Sequence, residues 1–242
     1  MHFFYVLIDG DIWEKASKSI KGTITYKSTL NRKFNEWNNN NIFKNVNKSI
    51  LDEYLKTHKV DEMYIDSTDL KNGNCESICT SKSLKLNKQA IKLSFISDQH
   101  QVPISEPLLD KPYVHDSKRT IDALMTVKLS NNKQTLMSGD KAYILDKSTK
   151  DTLLKINGIR LITPKKVYKK KEYKTKNYKK NITRIRHSKQ MKLALKHRIT
   201  IEHTNNLIHR SFKRLDKVYD KSYKTLLGFI YLAFATITLW KS

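Results

Sequence analysis

Cysteine is nearly absent: Cys75 and Cys79, in CESIC, are the only two in 242 residues. Two thiols cannot build a disulfide framework, and without a second pair of ligands they make no zinc site. We read them as ordinary reduced thiols, which fits an intracellular protein. Nor is a secretory leader expected. MHFFYVLI at the start is apolar but has neither a basic leader nor a small-residue cleavage site. The one long apolar run, LLGFIYLAFATITLW (226–240), falls short of the roughly 20 residues a membrane span needs. It also contains Gly228, Thr236 and Thr238, and it reads as a buried core helix. No internal repeat is visible.

Acidic residues are scarce as well, 23 against 47 lysines and arginines, for a formal net charge of +24. A field of that sign attracts polyanions, and nucleic acid is the commonest polyanionic partner. The length allows one good core and a small second module.

Residues 1–60 read as helical. In STLNRKFNEW, Leu30, Phe34 and Trp37 recur at i, i+4 and i+7, with Ser28 placed as N-cap. An asparagine tract breaks that helix, and a second is lined by Ile42, Phe43, Val46, Ile50, Leu51, Tyr54 and Leu55. With Lys27, Arg32 and Lys33 outside, the pair reads either as a DNA-binding helix-turn-helix or as a plain packing pair. From residue 61 the period changes. EMYIDST is a strand, and AIKLSFIS with QVPIS makes a hairpin. SKRTIDALMTVKLS is a helix, QTLMSGD a strand and turn, DKSTKDTLLKI a helix closed by Asn157-Gly158, and IRLITP a strand. A basic stretch follows, then a long helix over about 187–215 and the apolar C-terminal helix. The order β-β-β-α-β-α-β-α is that of an α/β layer with a mixed sheet.

Three acids fall at chosen places in this order. Asp66 closes the first strand, Asp140 closes the fourth, and Glu202 lies mid-helix in HRITIEHTNNLIHR. Helical spacing groups Arg198, Glu202, Asn205 or Asn206, and His209 on one polar stripe, with Leu195, Ile199, Leu207, Ile208 and Phe212 supplying apolar contacts. Singly, each acid has an ordinary reading: Asp66 in a turn, Asp140 as a helix cap, Glu202 paired with Arg198. Jointly, adjacent first and fourth strands would set Asp66 beside Asp140, and a helix on that sheet would bring Glu202 to them. Three converging carboxylates repel unless a cation neutralises them, and hard oxygen ligands suit Mg²⁺ or Mn²⁺. A pair of such ions serves phosphodiester displacement, which fits a basic, DNA-binding chain.

These motifs resemble those of the DDE transposases of bacterial insertion sequences, the group around insertion sequences 4 and 5, over almost the whole chain. YIDST is similar to the family's first-aspartate strand, GDKAY to its second-aspartate motif, and HRITIEH carries the R-x-x-x-E core of its glutamate signature. VHDS (114–117) resembles a recurring tetrapeptide between the two aspartates, and YDKSYKTLLGFIYLA the terminal core helix. FFYVLIDGDIWEKAS and TYKSTLNRKFNEWNNNNIF are similar to the family's N-terminal segments, whose earliest helices this chain is expected to lack.

The resemblance implies an α/β, ribonuclease-H-like core over 61–242 with a mixed five-stranded sheet flanked by helices. A short N-terminal helical, DNA-binding module would occupy 1–60. It implies that Asp66, Asp140 and Glu202 form a metal-binding triad holding two Mg²⁺ or Mn²⁺ ions. The partners implied are double-stranded DNA, as terminal inverted repeats and target, and a second copy of the chain on that DNA. No membrane is implied, and the location would be intracellular, in cytoplasm or nucleus according to host. Against the signature Y-x2-R-x3-E-x6-K, Arg198 and Glu202 match. Leu195 replaces the tyrosine, and His209 the lysine, with Arg210 next to it. Ahead of the glutamate helix, the stretch KKVYKKKEYKTKNYKK is placed to track DNA. Lys165, Lys166, Lys169, Lys170, Lys171, Lys174 and Lys176 would take phosphates, while Tyr168, Tyr173 and Tyr178 would stack or hydrogen-bond. Lys82, Lys85 and Lys88 are lesser candidates. The rival readings are a decayed or domesticated DNA-binding copy without cleavage, a stand-alone ribonuclease-H-like nuclease, and a membrane-associated basic protein.

Overall fold

The structure, a computed structural model, describes residues 2–10, 13–18, 26–71, 75, 80–127, 135–163, 189–216 and 220–242, with backbone alone at 141, 156–157 and 189–198. Its centre is a mixed sheet built on β1 (Glu62–Lys71), where Met63, Tyr64 and Ile65 are buried in succession. Consecutive burial means that both faces of this strand are covered, as expected for the middle of a sheet between helical layers. β3 (Gln89–Asp98) runs antiparallel to β1 on one side, and β5 (Thr135–Gly139) parallel to it on the other. β6 (Ile159–Ile162) extends the sheet parallel to β5. Two short strands, β2 (Ser81–Lys82) and β4 (Leu108–Asp110), pair with β3 beyond β1. The mixed sheet is as expected, with six strands among the described residues where five were expected. Two- and three-residue edge strands carry too little alternation to be read from sequence.

The expected hairpin partner QVPIS is reduced to one bridge between Ser97 and Pro103. Proline has no N–H to give a ladder. The neighbouring Ile96 N–H donates instead to the Ser105 hydroxyl at 2.8 Å. Asp98 organises the turn by accepting from the N–H groups of His100 and Val102, both at 2.9 Å, and from Tyr54 Oη at 2.6 Å. Pairing resumes only at Leu108–Asp110.

Helices cover the sheet. At the N-terminal end stand α1 (His2–Asp9), α2 (Trp13–Lys18), α3 (Lys27–Asn39) and α4 (Ile42–Thr57). The cap of α3 falls at Tyr26 with no side-chain hydrogen bond, so Ser28 lies inside the helix and not at its N-cap. The asparagine tract breaks α3 from α4 as expected, with Asn41 left-handed at φ 55°. Phe34 is the centre of an aromatic cluster, 4.7 Å from Phe43 and stacked at 4.3 Å on Phe229 of the C-terminal helix. The N-terminal helices thus share a hydrophobic core with the end of the chain. Further along lie α5 (Thr120–Met125), shorter than its sequence pattern, and α6 (Lys147–Asn157), closed by Gly158 at φ 64° as expected. The long helix α7 (Lys189–Ser211) stops before Phe212 and is followed by α8 (Lys213–Asp216) and α9 (Tyr223–Lys241).

α9 is the one described helix long and apolar enough to cross a membrane, yet 67% of its apolar window is buried inside the fold. Gly228 leaves room there for Asn38, whose Oδ1 would stand 2.6 Å from an added Cβ and would have to shift. Before α9, Arg214 and Asp220 form a buried ion pair at 2.7 Å, with the guanidinium over the Phe229 ring. Removing one partner leaves the other charge buried and uncompensated. Asp220→Ala is therefore expected to lower the unfolding free energy by about 3–5 kcal/mol, measured by chemical denaturation. The double replacement Arg214→Met with Asp220→Leu is expected to recover most of that loss.

Candidate active site

The parallel pairing of β1 with β5 sets the site. The four ladder pairs, Glu62 with Leu136 through Ile65 with Gly139, share one offset. The next pair in that register is Asp66 opposite Asp140, on strands roughly 4.8 Å apart. Gly139 makes the approach possible, since a Cβ there would meet Ile65 and the Tyr143 side chain at 2.9 Å. Asp140 then ends the strand by capping the one-turn 3-10 helix Lys141–Tyr143, its Oδ1 accepting from the Ala142 N–H at 2.6 Å. The ordinary capping reading of Asp140 is thus part of its role, and the cap fixes where the carboxylate stands. Behind it Tyr143 is buried, with its hydroxyl 2.6 Å from Ser67 Oγ, which is itself 2.8 Å from Ser94 Oγ.

Helix α7 crosses this edge of the sheet. Ile201, Thr204 and Ile208 are buried, at i, i+3 and i+7, whereas Ile199 is 59% exposed. The apolar face is therefore turned from the one the sequence suggests: Ile208 and Phe212 belong to it and Ile199 does not. The polar stripe does meet β1. Asn205 Nδ2 donates to Asp66 Oδ2 at 2.8 Å, and His209 Nε2 lies 2.8 Å from Thr68 Oγ1. His209 Nδ1 is also 3.5 Å from Asp216 of α8. Burial holds the His209 imidazole below its ordinary pKa, partly opposed by Asp216, so the ring packs neutral between helix and strand. Arg210, beside it, is exposed.

Glu202 stands on α7 one turn before Asn205, with an exposed side chain. Among the described residues, no group of three or more His, Cys, Asp or Glu side chains is close enough to hold a metal ion. Asp66 and Asp140 thus lie next to each other and Glu202 stands three residues from the side chain that reaches Asp66, without the three closing into a cluster. Side chains at Arg198 and Leu195, and all of Lys165, Lys166, Tyr168, Lys169, Lys170, Lys171, Tyr173, Lys174, Lys176 and Tyr178, lie outside the described residues. Lys27, Arg32 and Lys33 are exposed on α3, Lys27 reaching Glu14 at 3.7 Å and Lys33 reaching Glu36 at 3.1 Å. One acid was not picked out as a site residue. Asp116, in the VHDS tetrapeptide, is held by Lys92 at 2.8 Å and adds its field to that of Asp140 on Asp66. That tetrapeptide was the signal available for it.

The electrostatics favour a cation here. Burial raises the Asp66 carboxyl to about 6, and the neighbouring charges of Asp140 and Asp116 push the same way. Asn205 Oδ1, next to it, is buried with no hydrogen-bond partner. Acid and amide oxygens in such surroundings fit a hard divalent cation.

A folded-state pKa near 6 against 3.8 in the unfolded chain gives the sign of the pH dependence. The stability from this group is complete below pH 3.8 and is lost as pH rises through about 6. In metal-free protein, Asp66→Asn is expected to raise the unfolding free energy at pH 8 by about 2–3 kcal/mol and to change it little at pH 4. Denaturation curves at both pH values check this, and equal effects at the two would refute it.

Two comparisons are negative: no curated protein and no solved structure matches the chain. The model of the transposase DDE domain matches residues 61–239, which takes in the whole sheet, Asp66, Asp140, the α7 helix and nearly all of α9. With an α/β fold of the ribonuclease-H-like kind and that match over most of its length, the chain belongs to the DDE-domain transposase family.

Proposed function

We propose that this protein is a transposase of the insertion sequence 4/5-like group that binds the ends of its element and cuts and joins DNA strands with a divalent metal. The observation that carries the reading is the β1–β5 register, which makes Asp66 and Asp140 neighbours, together with the Asn205–Asp66 bond that ties the Glu202 helix to them. Asp66, Asp140 and Glu202 would hold Mg²⁺ or Mn²⁺, two ions on the general pattern for such displacements. When bound, the metal supplies charge neutralisation at the phosphate and activation of the attacking hydroxyl.

The chain's own residues supply the rest. Asn205 orients the Asp66 carboxylate. His209 anchors α7 against β1 by its bond to Thr68, so the phosphate contact that the family signature gives to a lysine passes to the exposed Arg210. Arg198 would steady Glu202 or a phosphate from one turn away. Lys27, Arg32 and Lys33 on α3, and the lysines and tyrosines of 165–178, would follow the DNA backbone. The α9 helix serves as core in this reading, which makes the protein soluble and intracellular. A homodimer would hold the two element ends.

A second reading, a transposase-derived DNA-binding protein that no longer cuts, is favoured by the three acids standing apart and by His209 being taken up in packing. One experiment separates the two. DNA carrying the gene's flanking repeats is incubated with Mg²⁺ or Mn²⁺ and either the wild-type protein or Asp140→Asn. The proposal expects metal-dependent nicking at the repeat end, joined products, and at least a hundredfold loss in the variant, roughly the scale for a metal-held transition state. Tight, salt-sensitive binding without any cut would establish the second reading.

A further inference from the structure

Beside Asp66, on the side away from α7, lies a cleft of about 250 Å³ that the acidic site does not use. Ser67, next in sequence to Asp66, forms part of its wall, and Asp116 another part. Lys82, Leu84 and Lys85, in and after β2, and Tyr113 also line it, together with Asp69 and Lys92. The volume is below that of a typical ligand pocket and suits one building block of a larger substrate whose remainder stays outside.

Three lysines reach this cleft, but they are not equivalent. Lys92 is committed to Asp116 and to the Val114 carbonyl, at 2.8 and 2.7 Å. Asp69, the second acid in the wall, takes the Ser83 hydroxyl. Lys82 and Lys85 are exposed and form no ion pair with another described residue. They leave the cleft open to an anion. Tyr113, lining the same cleft, is 70% exposed, so its ring is open to a ligand. Lys111 stands 6.0 Å over the Tyr113 ring and backs one of its faces. An aromatic face with free cations alongside is the pattern that takes unpaired nucleotides, stacking the base and neutralising its phosphate.

We propose that this cleft holds one unpaired nucleotide of the DNA strand that reaches Asp66, with its phosphate on Lys82 and Lys85 and its base against Tyr113. This deepens the reading of the protein as a DNA-cutting enzyme and rests on it for the strand's direction toward Asp66. The cleft selects DNA that is single-stranded or frayed beside the acidic site, because a paired base cannot turn its face to Tyr113. Selection of this kind depends on shape and stacking, and carries little sequence information.

Fluorescence anisotropy without metal tests it, using a labelled duplex with a short single-stranded thymidine overhang against the same duplex with blunt ends. Wild-type protein is expected to prefer the overhang. Tyr113→Ala should weaken overhang binding roughly 5- to 100-fold, with Tyr113→Phe close to wild type and blunt-duplex binding little changed. Lys82→Ala with Lys85→Ala should weaken overhang binding and flatten its salt dependence. No preference in wild type, or an overhang preference untouched by Tyr113→Ala and the lysine pair, would overturn the proposal. Cleavage by wild type with Tyr113→Ala unchanged in binding would sink the cleft alone. Overhang preference lost in Tyr113→Ala, in a protein that never cuts, would sustain the cleft and sink the enzymatic reading.

Discussion

Parallel pairing of β1 with β5 brings Asp66, which lies midway along β1 and does not close it as the sequence suggested, beside Asp140 just past the end of β5, and much of the molecule is arranged around that juxtaposition. Like charges a strand's width apart are unfavourable, and here one of them is buried enough for its carboxyl to protonate near pH 6. A fold selected for stability alone would not keep this arrangement. Tolerating it requires tight support: Gly139 admits Tyr143, Tyr143 braces Ser67, and the Ala142 N–H fixes Asp140. Each support comes from within a few residues of an aspartate, so the strain is local and the rest of the sheet is ordinary.

The charge distribution carries the same message at a larger scale. A chain with 47 basic and 23 acidic side chains has a field that draws in polyanions from all directions. Asp66, Asp140 and Asp116 interrupt that field at one end of the sheet. On the proposed reading, a phosphate backbone would be drawn to the basic surface and would meet the acids only where a cation mediates. Lys92 on Asp116 and Lys85 near Asp66 temper this acidic spot without neutralising it.

Much of this was legible in the residues. Strand–turn–helix order, the Gly158 cap and the place of Asp140 followed from periodicity and turn chemistry, because each depends on neighbours within one or two turns. The adjacency of Asp66 and Asp140 was an inference from strand order, and the register bears it out. What escaped depends on distant contacts. The edge strands β2 and β4 exist only because β3 offers them a partner, and Pro103 stops the nearer hairpin. The buried face of α7 was read one step off because Ile199 looks apolar, whereas the sheet selects Ile201, Thr204 and Ile208. Asp116 carried a motif but no role, and its role depends on Lys92, 24 residues away.

Helix α7 has one attachment to the acidic end, Asn205 on Asp66, and a second further along, His209 on Thr68. Between them they fix both the rotation and the height of the helix relative to β1. Glu202 rides on that helix one turn from Asn205, so these two bonds contribute to setting its position relative to the aspartates. Asp66 can be neutralised by a proton or by a cation. The proton serves only below about pH 6, and above it the carboxylate charge persists against Asp140 and Asp116. A cation would remove that repulsion, and the Asn205 oxygen, buried without a hydrogen-bond partner, would be available to it as a ligand. On the proposed reading, the bond that ties α7 to Asp66 would then be the point through which metal binding and the position of Glu202 are coupled.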